Sequence, residues 1–312
     1  MAPHIPNRIK ALPVRKPGPV VAGIIVALLA AWLAWGIATN ENFAWPTVWK
    51  YLFNEHILTG VGWTLWLTFI SMIIAIVLAV ALAIMRKSDN VVLRAVSWFF
   101  IWFFRGTPVY TQLTFWGLIS VLIPKIGVGS WSLSTADVIT AGRAAVIGLS
   151  LNEAAYLAEI VRAGLEAVDR GQTEAAQALG MKRSLIMRRV ILPQAMRIII
   201  PPTGNEAIGL LKTTSLVLAV PFTMELQYMS NNIANRIYQP IPLLLVAGIW
   251  YLVITSILMV GQSYLEKYFG KGFDVQPAGA RGKNPPLPGK TDGEPKNDVA
   301  KENEAFWGGL NA

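Results

Sequence analysis

The 312-residue chain has no cysteine, and His4 and His56 are its only histidines. Disulfide bonds and thiolate metal sites are therefore excluded, and so few histidines argue against a histidine metal site or a Ser-His-Asp triad. Charged residues make up only 14% of the sequence, whereas about a quarter is usual in a soluble domain. The net charge of +9 requires no nucleic acid partner, because the positive-inside rule accounts for an excess of lysine and arginine on cytoplasmic loops.

Long apolar runs dominate the rest of the chain. Hydrophobic residues make up 54% of it, and several runs reach the roughly 20 residues that a helix needs to span a bilayer. We expect Pro108 to mark a break in the third span, and Pro201, Pro202 and Gly204 to break the fifth. The pattern predicts an all-α integral membrane protein with about six transmembrane helices, at residues 20–39, 60–85, 91–123, 138–165, 192–220 and 242–265.

The two ends of the chain differ from its middle. Residues 1–18 carry four basic side chains and no acidic one, which predicts a cytoplasmic basic N-terminus. A signal peptide is the alternative, but the apolar run at 20–39 is too long for one and no A-x-A site follows it. Residues 19–57 are expected to form an extra first transmembrane helix and an external loop. Residues 270–312, rich in proline, glycine and charge, are expected to form a disordered cytoplasmic tail.

The external loop has features of a membrane surface. Trp45, Trp49 and Tyr51 are suited to the interface between lipid and water, and Pro46 is typical of the first turn of a short helix. Six spans with basic clusters at alternate turns place both termini in the cytoplasm.

The most charged segment in the middle of the chain, residues 174–193, cannot lie in lipid. Good helix formers precede Gly180, which suits a left-handed helix cap. A second helical run is expected to reach Leu192, with Pro193 beginning the next element. Composition alone allows an ordinary polar loop, whereas a helical hairpin would offer a surface to another protein.

The spacing of this segment resembles the EAA loop of ABC importer permeases. Three residues separate Glu174-Ala175-Ala176 from Gly180, and nine more precede the sequence Val-Ile-Leu-Pro, in which the family has isoleucine in place of Val190. The resemblance implies that the segment forms the coupling helix, which docks in a groove of a cytoplasmic ATPase subunit. The residues implied in this coupling are Glu174, Ala175, Ala176, Gly180, Leu192 and Pro193.

Further segments resemble the polar amino acid permeases, the group for histidine, glutamine, glutamate, arginine and opines. The likeness covers residues 58–269, the expected permease core domain. It departs from the group at Glu153, where small or neutral residues are common, and at Thr213, where aspartate is frequent. The matching segments are Phe104-Arg105-Gly106-Thr107-Pro108 with Gln112, the stretch AYLAEIVR at 155–162, Gly204-Asn205-Glu206, and Lys212-Thr213-Thr214-Ser215-Leu216, together with Gly60, Thr64 and the final segment from Tyr251 to Phe269.

This resemblance implies a type I importer permease with a core of five helices in the bacterial cytoplasmic membrane. The expected partners are a cytoplasmic ABC ATPase dimer, a second permease subunit (identical or related), an extracytoplasmic solute-binding protein and membrane lipid. ATP and Mg are expected on the partner ATPase, with no cofactor and no enzymatic activity in this chain. Gly289-Lys290-Thr291 lacks the first glycine, the strand and the helix of a phosphate-binding loop.

Glu153 is the most informative single residue. Counting along the span at 138–165 places it near the bilayer midplane, where an ionised carboxylate costs about 3 kcal/mol. We expect Glu153 to face a cavity and to interact with the ammonium of an amino acid or with a cationic side chain. A structural pair with a base such as Lys212, or a protonated and hydrogen-bonded carboxyl, is the alternative.

Other polar residues at membrane depth are candidates for the substrate pathway. Arg105 is suited to bind a substrate carboxylate bidentately, although gating or packing are equally open roles. Thr214 and Ser215 are able to hydrogen-bond to their own backbone instead. The full set expected to line the pathway is Arg105, Thr107, Asn152, Glu153, Asn205, Glu206, Lys212, Thr214 and Ser215.

Structural roles are expected for a few more residues. Glu159 and Arg162 are one helical turn apart and should pair near the cytoplasmic end of their span. Gly204 and Gly209 should permit close helix packing. Three other functions remain open at this point: a permease of the same fold for another small solute, an ion-coupled secondary transporter with Glu153 as its proton site, and a non-transporting scaffold.

Overall fold

The computed structural model describes residues 17–128 and 131–270, which are almost entirely helical. The predicted N-terminal segment, apart from its last two residues, and the predicted disordered tail, apart from Gly270, lie outside the described residues. The helices are α1 (Pro17–Thr39), α2 (Trp45–Leu52), α3 (Glu55–Arg86), α4 (Val91–Gly106), α5 (Val109–Gly117), α6 (Ile119–Leu122), α7 (Thr135–Val138), α8 (Ala141–Glu166), α9 (Arg170–Ala178), α10 (Arg183–Ile186), α11 (Leu192–Thr213), α12 (Leu226–Ile237) and α13 (Pro240–Phe269).

Short elements connect several of these helices. Two-residue strands β1 (Lys125–Ile126) and β2 (Leu133–Ser134) pair antiparallel, with Lys125 opposite Ser134. Glu41–Phe43 and Thr214–Ala219 form 3₁₀ turns, and Met187–Ile191 forms a π turn.

The expectation of an all-α membrane protein is confirmed. Within the described part of the chain, four helices are long and apolar enough to cross a membrane: Gly18–Thr39, Glu55–Arg86, Ala141–Glu166 and Pro240–Phe269. The third predicted span is divided into α4 and α5, with the break at Thr107 and Pro108 where it was expected. The fifth is α11, a 22-residue helix that carries the charged residues Arg197, Glu206 and Lys212.

The predicted break at Pro201, Pro202 and Gly204 is wrong, because α11 continues through all three residues. Prolines free backbone carbonyls in a membrane helix, but neighbouring groups are able to satisfy the altered backbone. Here Gln262 of α13 donates its Nε2 to the carbonyl oxygen of Pro201 at 2.6 Å. The hydroxyl of Thr203 donates to the Ile199 carbonyl at 2.8 Å. Side-chain donors therefore support the backbone around the proline pair.

Pro193 marks the start of α11, as predicted, although no loop precedes this helix. The helical run extends from Arg183 through the π turn into α11, and Pro193 lies in the first turn of α11. Leu192 donates its backbone N–H to the Met187 carbonyl, five residues back, which is the pairing of a π turn. The chain thus leaves the charged segment on one continuous helical path.

Helix α8 lies at the centre of the bundle, in contact with α3, α4, α5 and α11. Small residues let its neighbours approach closely, as is common between membrane helices. A methyl group added at Gly148 would lie 2.8 Å from Leu113, and one at Gly164 would lie 2.3 Å from Ile199. The buried face of α8 therefore consists mainly of alanine and glycine.

A second packed region joins α2, α3, α12 and α13 at the other end of the bundle. Pro46 lies in the first turn of α2, as predicted, and Val48 and Leu52 of α2 are buried against α12 and α13. A methyl group at Gly60 would lie 2.8 Å from the Cα of Leu226. Here a glycine is required by the backbone of the adjacent helix.

Helix α1 stands apart from this core. Every described side chain from Gly18 to Thr39 is exposed, and the helix is apolar all round. The Trp45 indole donates to the Ile37 carbonyl at 3.2 Å. Such a surface is suited to lipid or to another membrane helix.

Candidate functional site

The charged segment forms the helical hairpin that the sequence predicted. Asp169 caps α9 by accepting the Gly171 N–H at 2.6 Å. At the other end Gly180 has φ +72°, the left-handed conformation expected of it. Its N–H donates to Gln177 and that of Met181 to Ala176, the pair of hydrogen bonds that closes a Schellman cap.

This hairpin presents a mixed surface. Glu174, Ala175 and Gly180 are exposed, whereas Ala176 is buried. Leu179, which the sequence analysis did not single out, is 81% exposed. A single exposed leucine is common on protein surfaces and does not by itself mark an interface. Leu192 and Pro193 are also exposed, at the start of α11.

A polar cavity of about 490 Å³ lies at the break between α4 and α5. Five of the nine residues predicted for the substrate pathway line it: Arg105, Thr107, Asn152, Glu153 and Glu206. The other lining residues were not predicted for the pathway: Gly106, Pro108, Val109, Tyr156, Gly209 and Thr213.

Side-chain amides hold the helix break open. Thr107 is extended, as the residue before a proline should be. Gln112 donates its Nε2 to the Phe104 carbonyl at 2.9 Å and to the carbonyl and hydroxyl oxygens of Thr107 at 3.0 and 2.8 Å. Asn152 donates its Nδ2 to the same Phe104 carbonyl and to Gln112 Oε1, both at 3.1 Å. The freed backbone groups are satisfied without closing the cavity.

The ionisable groups of the cavity are one guanidinium and two carboxyl groups. The Arg105 guanidinium lies 5.3 Å from the centre of the Tyr156 ring, a cation–π contact. Glu153 is only 6% exposed, and its Oε1 has no hydrogen-bond partner within the described residues. Glu206 lines the same cavity from α11. Glu153 therefore brings to the cavity wall a buried carboxyl oxygen that has no hydrogen-bond partner among the described residues.

The alternative in which Glu153 pairs with Lys212 does not occur in this structure. Lys212 is exposed and lies outside the cavity, and the ion pairs among the described residues are those of Arg162. Arg162 does pair with Glu159 at 2.7 Å, as predicted, and also with Glu166 at 2.7 Å.

Three further predicted pathway residues lie outside the cavity. Asn205 is exposed on α11. Ser215 donates to the Lys212 carbonyl at 2.7 Å, and Thr214 donates to the Leu211 carbonyl at 2.7 Å, the backbone bonds considered as an alternative. Thr214 also donates to Glu225 Oε1 at 3.3 Å.

The two glycines predicted for helix packing differ. A methyl group at Gly204 would overlap the amide of Gln262, which confirms close packing there. At Gly209 the nearest atom is Glu206 Oε2 at 4.0 Å, and Gly209 lines the cavity instead. Tyr156 could have been found from the sequence, because it lies one helical turn after Glu153 on the same face.

Glu225 is a buried group that the sequence analysis missed. It is fully buried, its Oε2 accepts the Gln227 N–H at 2.6 Å, and its Oε1 accepts the Thr64 hydroxyl at 2.8 Å and the Tyr251 hydroxyl. This carboxylate joins α3, α12 and α13. No sequence pattern marked it, because its partners come from distant parts of the chain.

Residues 72–271 match the family described as binding-protein-dependent transport system inner membrane component. The chain is 53% identical over 268 residues to the arginine transport system permease protein ArgU of Corynebacterium glutamicum, which covers 86% of this chain and 85% of that protein. It is 35% identical over 216 residues to the histidine/lysine/arginine/ornithine transport system permease protein HisM of Escherichia coli K12. This match covers 69% of this chain and 87% of HisM.

A solved structure agrees with these sequence likenesses. The chain superposes on the crystal structure of an amino acid ABC transporter with histidines at a TM-score of 0.60, with 33% identity, covering 71% of this chain and 97% of that one. The fold and the family match thus define a permease of the type I ABC transporters. The chain belongs to the family of binding-protein-dependent transport system inner membrane components. It is a multi-pass pore subunit, and ATP is hydrolysed by a separate ATPase.

Proposed function

We propose that this chain is the permease subunit of an ATP-driven importer for cationic amino acids, with arginine as the first candidate. The observation that carries the proposal is the set of ionisable groups in the polar cavity, which Glu153 and Glu206 line together with Arg105. A cationic amino acid has two positive groups and one carboxylate, which matches two carboxylates and one guanidinium. The names of ArgU and HisM, both permeases of transporters for such amino acids, support the same substrate class.

The geometry suggests a role for each charged side chain. Arg105 is suited to bind the substrate carboxylate in a two-point contact, while the Tyr156 ring holds the guanidinium in place. The free Oε1 of Glu153 would accept a hydrogen bond from a substrate ammonium or guanidinium. Binding would then remove the cost of an unpartnered polar atom, which is about 1–3 kcal/mol.

The coupling hairpin is proposed to dock on the ATPase. A dimer of ATPase subunits would receive α9 through Glu174, Ala175 and Leu179, and a second permease subunit would complete the pore. A solute-binding protein would deliver the amino acid from the opposite side. This requires both termini and the hairpin to lie on the cytoplasmic face of a bacterial membrane, as the distribution of basic residues favours. ATP binding would then shift the pore between two states that differ in affinity for the substrate.

Ligand binding to the purified permease–ATPase complex tests the substrate assignment. The binding protein is left out because it has a selectivity of its own. Arginine is compared with citrulline, which has nearly the same shape without the positive side chain. We expect wild type to prefer arginine, and Glu153→Gln to reduce that preference roughly ten- to a hundredfold, the value of a hydrogen bond to a charged group. Glu55→Gln, on the exposed first turn of α3, is the matched control. Equal affinity of wild type for arginine and citrulline would contradict the proposal.

A further inference from the structure

An apolar groove, separate from the polar cavity, lies between α3, α8 and α11. It measures about 430 Å³, within the range of about 300–1,000 Å³ of sites that enclose a small ligand. Of the fourteen residues that line it, Thr203 alone is polar. Ile76, Val80 and Ile84 of α3 form one wall, and Leu157 and Met196 are among the residues of the other two.

Basic residues follow two of the lining residues, Ile84 and Met187, in the sequence. Ile76, Val80 and Ile84 follow one another at helical spacing, and the next position on that stripe is Lys87, directly after α3 ends. On the opposite wall Met187 lines the groove at the start of the π turn, and Arg188 follows it. Lys87 and Arg188 are both exposed, and neither has an ion-pair partner among residues 17–128 and 131–270.

We infer that this groove is a binding site for an anionic phospholipid, with an acyl chain against α3, α8 and α11 and the headgroup phosphate at Lys87 and Arg188. The inference rests on the proposed orientation, which places this end in the cytoplasmic leaflet, where anionic lipids attract lysine and arginine near the surface. Exposed apolar walls such as Ile84, 65% exposed, are suited to a lipid chain. Lysine and arginine are long enough to reach a phosphate at the surface of the bilayer.

The charges also decide between a lipid and another membrane helix. A helix of a second permease copy seated in the groove would cover Lys87 and Arg188 with apolar surface. Burying two uncompensated cations is costly, whereas a phosphate group supplies the opposite charge.

The position of the groove connects the lipid to transport. Met187 and Leu192, which line it, belong to the helical run that leaves the coupling hairpin. A lipid that contacts this run together with α3 and α8 favours the state in which the three helices have this spacing. We therefore expect the ATPase activity of the complete transporter to depend on anionic lipid.

The test uses the whole transporter in nanodiscs of phosphatidylcholine with increasing phosphatidylglycerol. Two quantities are measured: the phosphatidylglycerol that remains bound after exchange into detergent, and the ATPase activity stimulated by the loaded binding protein. Wild type should retain the lipid and gain activity as phosphatidylglycerol increases. Lys87→Gln and Arg188→Gln should each weaken the apparent affinity for phosphatidylglycerol about fivefold. Val80→Trp should fill the groove and remove the bound lipid.

Two control variants match these changes outside the groove. Val77→Trp places the same large side chain on another exposed face of α3, and Lys50→Gln removes a positive charge from α2. Both should retain lipid and activity as wild type does. If Val80→Trp retains as much phosphatidylglycerol as Val77→Trp, or if cysteines at position 80 cross-link two permease copies, the lipid site is overturned. Arginine binding, measured in the same preparation, separates this result from a failure of the proposed substrate.

Discussion

Asn152 of α8 donates its Nδ2 to Gln112 Oε1 of α5 at 3.1 Å, and this contact joins the two sides of the polar cavity. Gln112 in turn donates to three oxygen atoms of Phe104 and Thr107, on the other side of the helix break. The pair thus fixes the position of the break, and with it the direction in which Arg105 leaves α4.

Gln112→Leu should damage the cavity although Gln112 does not line it. The leucine has a similar size but leaves the Phe104 and Thr107 carbonyls with fewer donors, at a cost of about 1–3 kcal/mol for each unsatisfied group. We expect arginine affinity of the permease–ATPase complex to fall at least tenfold. Calorimetric binding is the measurement, and Gln227→Leu on α12 is the control, because its amide contacts Asn231 far from the break. Unchanged affinity in Gln112→Leu would show that the break is held by other contacts.

Two glycines of α3, two positions apart, should respond differently to alanine. A methyl group at Gly60 would lie 2.8 Å from the Cα of Leu226, whereas none of the described atoms lies within 4 Å of one at Gly62. Gly60→Ala should lower the stability of the purified complex by about 1–3 kcal/mol, and Gly62→Ala should leave it unchanged or slightly raised. Thermal unfolding in one detergent compares them. Equal unfolding temperatures for the two variants would contradict the close approach of α3 and α12.

The folded protein should lose less stability when one hydrogen-bond donor to Glu225 is removed than when the charge of Glu225 is removed. Tyr251→Phe removes one of the hydroxyls that Glu225 accepts, while those of Thr64 and Thr214 and the Gln227 N–H remain. Glu225→Gln places an amide N–H₂ among groups that donate, and forfeits hydrogen bonds to a charged group worth about 1.5–3 kcal/mol each. The temperature of thermal unfolding should therefore fall further for Glu225→Gln than for Tyr251→Phe. The reverse order would show that this carboxyl is neutral in the folded protein.

The sequence predicted the features of this fold that depend on neighbouring residues. Span composition, the helix break before Pro108 and the left-handed cap at Gly180 all follow from local chemistry. The break predicted at Pro201 and Pro202 failed in a helix that packs against α8 and α13, where Gln262 donates to the Pro201 carbonyl from about sixty residues further along the chain. Contacts from other helices help a membrane helix to pass a proline, and their distance in sequence hides them.

The candidate site likewise combines features that the local sequence predicts with features that depend on distant parts of the chain. Arg105, Glu153 and Glu206 could be selected because each is a charge at membrane depth. Their convergence on one cavity, and the exclusion of Lys212 from it, depend on how α4, α8 and α11 are rotated about their axes. Glu225 was missed for a related reason, since it lies between spans and only the folded chain brings Thr64 and Tyr251 to it.

The proposed coupling of the hairpin to the ATPase is tested most directly at Gly180. Its φ of +72° strains most side chains but suits asparagine, and no described atom lies within 4 Å of an added methyl group. Backbone conformation alone therefore separates Gly180→Asn from Gly180→Val, because β-branched residues are poorly tolerated there.

The measurement is ATP-driven arginine uptake into proteoliposomes that contain the permease, its ATPase and the binding protein. We predict that Gly180→Asn keeps most of the wild-type rate, and that Gly180→Val loses most of it together with ATPase association. Equal uptake by the two variants, or uptake that needs an ion gradient and no ATP, would contradict the assignment of this hairpin as the coupling element.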